Sequence, residues 1–172
     1  YHIPAFDDSV LPADGYWRAV ESICRKNGIV LISDDIRHGF RINMHGSHAF
    51  YGFQPDLVCF CKAIANGYPI SALMGTNALK NVAGRVFYTG SYWFQSQPMA
   101  AALATLKELA AIDGPALMRG IGDKLRDGLV EAGKAHGFDV KITGASAMPY
   151  VRITNDESLM THQQWCAECT RR

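Results

Sequence analysis

The sequence lacks the features of several protein classes. No stretch reaches the roughly 18–20 consecutive apolar residues of a membrane-spanning helix, and the N-terminal YHIPAFDDSV has no basic region followed by an apolar one. A formal net charge of +1, without a run of five like charges, gives no electrostatic footprint for nucleic acid or an acidic membrane surface. We therefore expect a soluble, cytoplasmic protein with no nucleic-acid and no membrane partner.

Cysteines are few and odd in number. The 5 cysteines, Cys24, Cys59, Cys61, Cys166 and Cys169, do not make a disulfide framework, so reduced thiols are expected. Cys166-x-x-Cys169 could be a redox pair or half of a zinc site, but no second pair at finger spacing accompanies it. Two cysteines on a helix are the simpler interpretation.

Signatures of metal and nucleotide sites are also lacking. His45-x-x-His48 has no third ligand in a recognisable pattern, and Gly46 argues for a loop, so we expect solvated histidines and no metal site. Asp34-Asp35 could bind Mg²⁺ beside a phosphate. That chemistry needs a phosphate-cradling loop, and no G-x-x-x-x-G-K-[ST] motif is present.

The composition is that of a globular protein. With 172 residues, 48% of them hydrophobic and 19% charged, the chain can bury a core of one domain, or of one and a fraction. The chain begins without Met and ends at CTRR within a predicted helix. We therefore expect a piece of a longer protein.

Hydrophobic patterning predicts an α/β fold. A helix is expected from Asp14, a suitable N-cap, to a left-handed stop at Gly28, followed by IVLIS, a β-branched run typical of a strand covered on both faces. Further strands are predicted at 57–61, 71–75, 85–90, 139–142 and 149–153, and further helices at 98–112, at 115–135 with a stop at Gly137, and from 158.

The predicted pattern changes near residue 113. Asp113-Gly114-Pro115 breaks the helices, and shorter strands follow, so we expect a smaller α+β domain to begin there. In the preceding helix, Leu103, Leu106 and Leu109 form a stripe that is expected in the core. Upstream, Tyr92, Trp93 and Phe94 form an aromatic cluster that suits a substrate channel and a subunit interface equally well.

Lys62 ends the predicted strand at 57–61, and Asp34 follows the strand at 29–33. A lysine in this position can simply extend its stem along apolar surface to water, or it can serve as an amine that attacks a carbonyl. Strand ends on one edge of a parallel sheet converge on a shared crevice, so acid and amine could face one ligand. Pyridoxal phosphate is a cofactor that needs both groups.

The stretch VLISDDIRHGFR, followed by GFQPDLVCFCKAIANGYPISALMG, carries a family resemblance. It resembles the core signature of the class III, fold-type I pyridoxal-phosphate aminotransferases, among which the glutamate-1-semialdehyde 2,1-aminomutases are nearest. The resemblance implies a PLP-dependent transferase fold of type I. Residues 1–112 would be the second half of the large, mixed-sheet domain, and residues 113–172 a connecting helix with part of the small α+β C-terminal domain.

The resemblance also implies roles for single residues. Asp34 matches the carboxylate that pairs with the pyridine nitrogen, and Ile36 matches the residue that packs on the ring face. Lys62 matches the Schiff-base lysine, which also moves a proton between the substrate Cα and the cofactor C4′. Thr89 and Ser91 are candidates for a hydroxyl that contacts the cofactor phosphate from the partner subunit.

Three positions depart from the family pattern. Asp35 stands where Glu is usual, so its carboxylate is expected to be held differently. Cys61 precedes the lysine where Gly is common, which would crowd the approach to Lys62. His38 replaces a small polar residue and leaves substrate choice open.

The implied activity is transamination between an amine or amino acid and a carbonyl compound, or the internal amino shift of an aminomutase. The implied assembly is a homodimer with active sites at the interface. Two alternatives stay open: a decarboxylase or racemase on the same scaffold, because the cofactor's surroundings choose the bond that breaks, and an inactive structural relative. Retention of Asp34 and Lys62 speaks against the second.

Overall fold

The computed structural model describes residues 11–156, 158 and 160–171. The sequence predicts an extended segment at 1–13, with Pro4 and Pro12, and most of that segment lies outside the described residues. The chain forms two compact units, Ala13–Leu117 and a second that includes residues 118–171. No helix of the described chain is both long and apolar enough to cross a membrane.

The first unit is built around a mixed three-stranded sheet in the order β1-β2-β3. β2 pairs with β1 in parallel and with β3 antiparallel, which confirms the predicted α/β class with a mixed sheet. The α-helices and strands are α1 Tyr16–Lys26, β1 Ile32–Asp34, α2 Ser47–Tyr51, β2 Leu57–Phe60, β3 Ala72–Gly75, α3 Lys80–Ala83 and α4 Ser96–Ala111, with 3₁₀ turns at Lys62–Ile64 and Asn77–Leu79.

Helix α1 ends at its predicted stop but does not begin at its predicted N-cap. Gly15, at φ 78°, is the N-cap and no side chain caps the helix, so the prediction of Asp14 as N-cap was wrong. The predicted stop is confirmed by Gly28, whose φ of 64° is the left-handed conformation that glycine adopts readily. At this end Arg25 forms an ion pair with Asp56, 2.7 Å from nitrogen to oxygen.

The core of the first unit covers one face of the sheet. Its buried residues come from the loop after β1, from β2, from the turn after β2 and from α4, and they are Phe40, Val58, Phe60, Ile64, Ala65 and Ala102. Leu106 and Leu109 pack against this cluster, as predicted, but Leu103 is exposed. Ile29 and Val30, which precede β1, and Ile32, within β1, are also exposed, so the described residues do not supply the expected cover on both faces: β1 is an edge strand of the described sheet.

Two segments differ from the predicted pattern. No strand forms at 85–90; this segment pairs with no described strand and forms an exposed connection before α4. Conversely, the sequence predicts irregular structure for the aromatic-rich stretch 42–56, but this stretch contains α2. His48 therefore lies on a helix, and its Nδ1 is buried, so the prediction of two solvated loop histidines was wrong for this residue.

Helix α5, Gly114–Ala135, follows α4 directly. The predicted break is observed at Asp113, whose φ of 48° turns the chain between the two helices. Gly137, at φ 78°, follows the end of α5 as predicted. Gly122 and Gly133 allow close packing of α5 against neighbouring segments. A Cβ at Gly122 would lie 1.7 Å from the Ser146 carbonyl oxygen, and one at Gly133 would lie 2.4 Å from Val140 Cγ2.

The second unit also contains a β-hairpin and a terminal helix. Strands β4 Val140–Thr143 and β5 Tyr150–Ile153 pair antiparallel, which confirms both predicted strands. Helix α6, Met160–Arg171, carries Cys166 and Cys169 on its exposed surface, as predicted. All five cysteines are free.

Candidate active site

Asp34 ends β1 at the carboxyl edge of the sheet. Its neighbour in the parallel β1–β2 register is Cys59, and directly paired residues project from the same face of a sheet. Asp34 is exposed, and its Oδ1 accepts a hydrogen bond from the Ile36 amide at 3.2 Å. That bond folds the side chain back over the turn and gives the carboxylate a defined position.

Lys62 opens the 3₁₀ turn directly beyond β2. Its φ of 50° is left-handed, a conformation that costs a residue with a Cβ about 1–2 kcal/mol. The turn is held from within the core, because the next residues, Ile64 and Ala65, are 7% and 1% exposed. Lys62 itself is exposed, so core packing fixes its backbone while its side chain stays outside the core.

The strand directions bring Asp34 and Lys62 to the same edge of the sheet. β1 and β2 are adjacent and parallel, Asp34 is the last residue of β1, and Lys62 follows Phe60, the last residue of β2, by two positions. Carboxyl ends of neighbouring parallel strands form the ligand crevice in open α/β sheets. Since no described residue forms an ion pair with the Lys62 ammonium, its amine is available to a ligand.

Asp35 follows Asp34 but is turned to the interior. It is 1% exposed, and its carboxylate accepts the Ser47 amide hydrogen at 2.7 Å and also the Ser47 hydroxyl. Its backbone amide donates to the Cys59 carbonyl at 3.0 Å, and its own carbonyl accepts from the Gly39 amide at 2.9 Å. The two adjacent aspartates therefore have separate surroundings, one at the open edge and one buried.

The charge of Asp35 acts on Tyr51 of α2. Burial, and then the negative charge of Asp35, raise the pKa of the Tyr51 phenol above its ordinary value. The sequence had pointed to Asp35 as a departure from Glu and, with Asp34, as a possible Mg²⁺ ligand. Its partner Ser47 was not foreseen, because the two are far apart in the sequence and no short motif joins them.

The remaining predicted site residues are a neighbour of Asp34 and two residues of another segment. Ile36 lies on the turn after Asp34 and is half-buried. Thr89 and Ser91 lie in the exposed segment before α4, and neither hydroxyl bonds to a described residue. In the same segment Trp93 packs against Tyr88 and Phe94, with ring centroids 4.7 and 5.4 Å apart.

Among the described residues no group of three or more His, Cys, Asp or Glu side chains could hold a metal ion. His45 is exposed, whereas His48 is half-buried and its ring contacts Phe53. On α6 the Cys166 sulfur lies 3.5 Å from His162 Nε2. Neither His45-x-x-His48 nor Cys166-x-x-Cys169 therefore has a third described ligand.

Known proteins with similar sequences are aminotransferases and aminomutases. Aminopentol aminotransferase of Sphingopyxis macrogoltabida is 37% identical over 166 residues, which are 96% of this chain and 39% of that protein. Glutamate-1-semialdehyde 2,1-aminomutase 2 of Bacillus pumilus is 31% identical over 151 residues, 86% of this chain and 35% of the aminomutase. The chain thus spans less than two fifths of the length of these curated relatives.

Solved structures of transaminases share the fold. The PLP internal aldimine form of the FumI protein of Sphingopyxis sp. MTA144 matches with a TM-score of 0.83 and 38% identity, over 88% of this chain and 36% of that one. An (S)-enantioselective omega-transaminase of Thermomicrobium roseum matches with a TM-score of 0.74 and 29% identity, over 88% and 35%.

The family model Aminotransferase class-III matches residues 9–168, nearly the whole chain. The predicted family resemblance is confirmed, and glutamate-1-semialdehyde aminomutases are among the relatives, at 31% identity against 37% for the aminopentol aminotransferase. The chain belongs to the class III aminotransferase family.

Proposed function

We propose that this chain is the cofactor-binding part of a pyridoxal-phosphate enzyme. The enzyme transfers an amino group between an amine or amino acid and a carbonyl compound, or shifts it within one molecule as an aminomutase does. The observation that carries the proposal is the placement of Asp34 and Lys62 at the carboxyl edge of adjacent parallel strands. Relatives with both kinds of activity support this pair of reactions.

The residues at this edge fit the cofactor. An exposed carboxylate, oriented by the Ile36 amide, can accept a hydrogen bond from a protonated pyridine nitrogen. An exposed amine without a described ion-pair partner can attach to the cofactor aldehyde. When bound, pyridoxal phosphate supplies an electron sink for the electron pair left at the substrate Cα.

Each residue then has a defined task. Asp34 keeps the ring nitrogen protonated, since a nearby negative charge favours the charged form of its partner. Lys62 would hold the cofactor through its amine, and the same amine would move a proton between the substrate Cα and C4′. Ile36 would pack on the face of the ring. The left-handed backbone of Lys62 supports this role, because such strain concentrates at functional positions.

The phosphate contact and the assembly are proposed together. We assign a phosphate contact to Thr89 or Ser91 acting across the interface of a homodimer, as the family resemblance implies. The exposed aromatics of the same segment support an interface, since Phe87 is 91% and Phe94 78% exposed, and large exposed apolar side chains mark association surfaces. Residues 1–112 would belong to the large domain, and 113–172 to the connecting helix and small domain.

The proposed compartment is the cytoplasm. Its support is the cysteine chemistry: all five cysteines are free, and free thiols suit a reducing compartment. Small-molecule amino donors and carbonyl acceptors are the proposed substrates, in line with the relatives that carry aminotransferase names.

An absorption spectrum of the full-length protein with pyridoxal phosphate tests the proposal. The wild type should show a visible band that Lys62→Ala abolishes. Lys80→Ala is the matched control, because Lys80 is also exposed but lies on α3, and it should keep the band. A band that survives Lys62→Ala would contradict the assignment. A panel of amines with a keto acid, compared with a single amino-aldehyde substrate, then separates transamination from the internal shift.

A further inference from the structure

The most completely buried large side chain in the described residues is a carboxylate, Asp35. A buried carboxylate is costly unless hydrogen bonds compensate for the lost water. Ser47 supplies two, from its amide and its hydroxyl. The proposed chemistry does not use Asp35 directly, so its burial needs another explanation.

The surroundings of Asp35 lock the backbone between Asp34 and Ile36. The Asp35 amide extends the hydrogen bonding to β2 through the Cys59 carbonyl, and the Asp35 carbonyl accepts from Gly39. With the two hydrogen bonds from Ser47, the backbone amide, the backbone carbonyl and the side chain of Asp35 all have partners. Because Asp34 and Ile36 are the chain neighbours of Asp35, fixing Asp35 also fixes their backbone positions.

The segment that holds Asp35 fits it closely. A Cβ at Gly46 would lie 2.8 Å from Asp35 Oδ2 and 3.0 Å from His48 Nδ1, so the backbone at Gly46 approaches as only glycine can. Gly46 also has φ 97°, which disfavours any side chain there. The backbone at the start of α2 thus packs directly against the Asp35 carboxylate, and the space suits a side chain as short as aspartate.

We propose that Asp35 is a positioning residue: its buried carboxylate, bound by Ser47, fixes the turn that presents Asp34 and Ile36 to the cofactor. The inference rests on the proposed function and deepens it. It also accounts for aspartate where the family usually has Glu. The shorter side chain reaches both Ser47 donors, and the close approach of Gly46 leaves no room for an additional methylene.

The test compares Ser47→Ala and Asp35→Asn in the full-length protein. Ser47→Ala removes one donor and keeps the buried charge, whereas Asp35→Asn keeps the size and removes the charge. Asp56→Asn is the matched control: Asp56 is a half-buried carboxylate that binds Leu31 and Arg25, and it precedes β2 at the opposite edge of the same sheet. All three should lose stability, but only the first two should affect the site.

The first readout is amide hydrogen exchange in the cofactor-free protein. We expect the Asp35 and Gly39 amides to exchange roughly ten- to a hundredfold faster in Ser47→Ala, as the loss of one charge-assisted bond implies, and at an unchanged rate in Asp56→Asn. The second readout is the dissociation constant for pyridoxal phosphate. It should rise by up to roughly the same factor in Ser47→Ala and Asp35→Asn, by the same reasoning.

The pH midpoint of the visible band is the third readout. It should shift in Ser47→Ala and Asp35→Asn, because Asp34 no longer holds its position beside the ring, and not in Asp56→Asn. Unchanged affinity and midpoint in a stable, band-forming Ser47→Ala protein would overturn this inference alone. A wild type that takes up no pyridoxal phosphate would overturn the proposed function as well.

Discussion

Asp34 is paired in register with Cys59 across the parallel strands β1 and β2. This pairing brings the carboxylate to the edge where β2 runs into the 3₁₀ turn at Lys62. Two side chains that are distant in the sequence therefore lie at the ends of neighbouring strands. The placement of an acid and an amine at one edge is the basis of the proposed function.

Substituting Asp34 should weaken cofactor binding without weakening the fold. We expect Asp34→Asn to raise the dissociation constant for pyridoxal phosphate by about ten- to a hundredfold, since a charge-assisted hydrogen bond contributes about 1.5–3 kcal/mol. Its stability should change by less than about 0.5 kcal/mol because the side chain is exposed. Fluorescence titration and urea unfolding measure the two effects, with the exposed Asp14→Asn as control. Equal affinities in both variants would contradict the role of Asp34.

The left-handed backbone of Lys62 predicts that glycine is more stabilising than alanine at this position. Lys62→Gly should be about 1 kcal/mol more stable than Lys62→Ala in the cofactor-free protein, because glycine adopts a φ of 50° without steric cost. At Lys80, whose φ is −53°, the order should reverse and alanine should be the more stable. Urea unfolding of the four variants measures both differences. The same order at both positions would show that Lys62 carries no backbone strain.

Two glycines of α5 should respond to alanine in opposite directions. Gly122→Ala should lower stability by about 1–3 kcal/mol, because the new Cβ would overlap the Ser146 carbonyl. Gly128→Ala should raise stability by about 0.5–1 kcal/mol, because a Cβ there has no neighbour within 4 Å and alanine favours the helix. Thermal unfolding of both variants tests the packing of α5. A Gly122→Ala protein as stable as the wild type would contradict that packing.

Asp156 should make the start of α6 sensitive to acid. Hydrogen bonds from the Ser158 hydroxyl, and then from Thr161, lower the pKa of the Asp156 carboxyl from 3.8 to about 2. Because the folded-state pKa is the lower one, the stabilisation is complete above about pH 4 and is lost as the pH falls through about 2.

NMR of the Thr161 amide, which donates to Asp156 at 2.7 Å, follows this loss directly. The amide shift should titrate in the wild type with a midpoint near pH 2 and should not titrate in Asp156→Asn. A wild-type midpoint near 3.8 would show that these hydrogen bonds do not form.

Elements with local signals were predictable from the sequence. The stop of α1 at Gly28 follows from the conformational freedom of glycine, and α5, β4 and β5 follow from hydrophobic patterning between clear turns. The placement of Asp34 and Lys62 at one edge of the sheet was also predictable, because each lies at the end of an apolar strand and parallel strands deliver their ends to one edge.

Features that depend on distant partners were not predictable. Helix α2 is short, and its start is held by Asp35 from another part of the chain, so local patterning carries no sign of it. The segment 85–90 has the composition of a strand but no described partner strand. Exposure at Ile32 depends on which elements cover the sheet, which its own sequence does not specify.

The most direct test of the central claim is to find the lysine that takes the cofactor. Full-length protein is incubated with pyridoxal phosphate, reduced with borohydride and digested, and the peptides are mapped by mass spectrometry. The account predicts a pyridoxyl group on Lys62 at close to one per chain, and none on Lys80. Stoichiometric labelling of another lysine, with Lys62 unmodified, would contradict it.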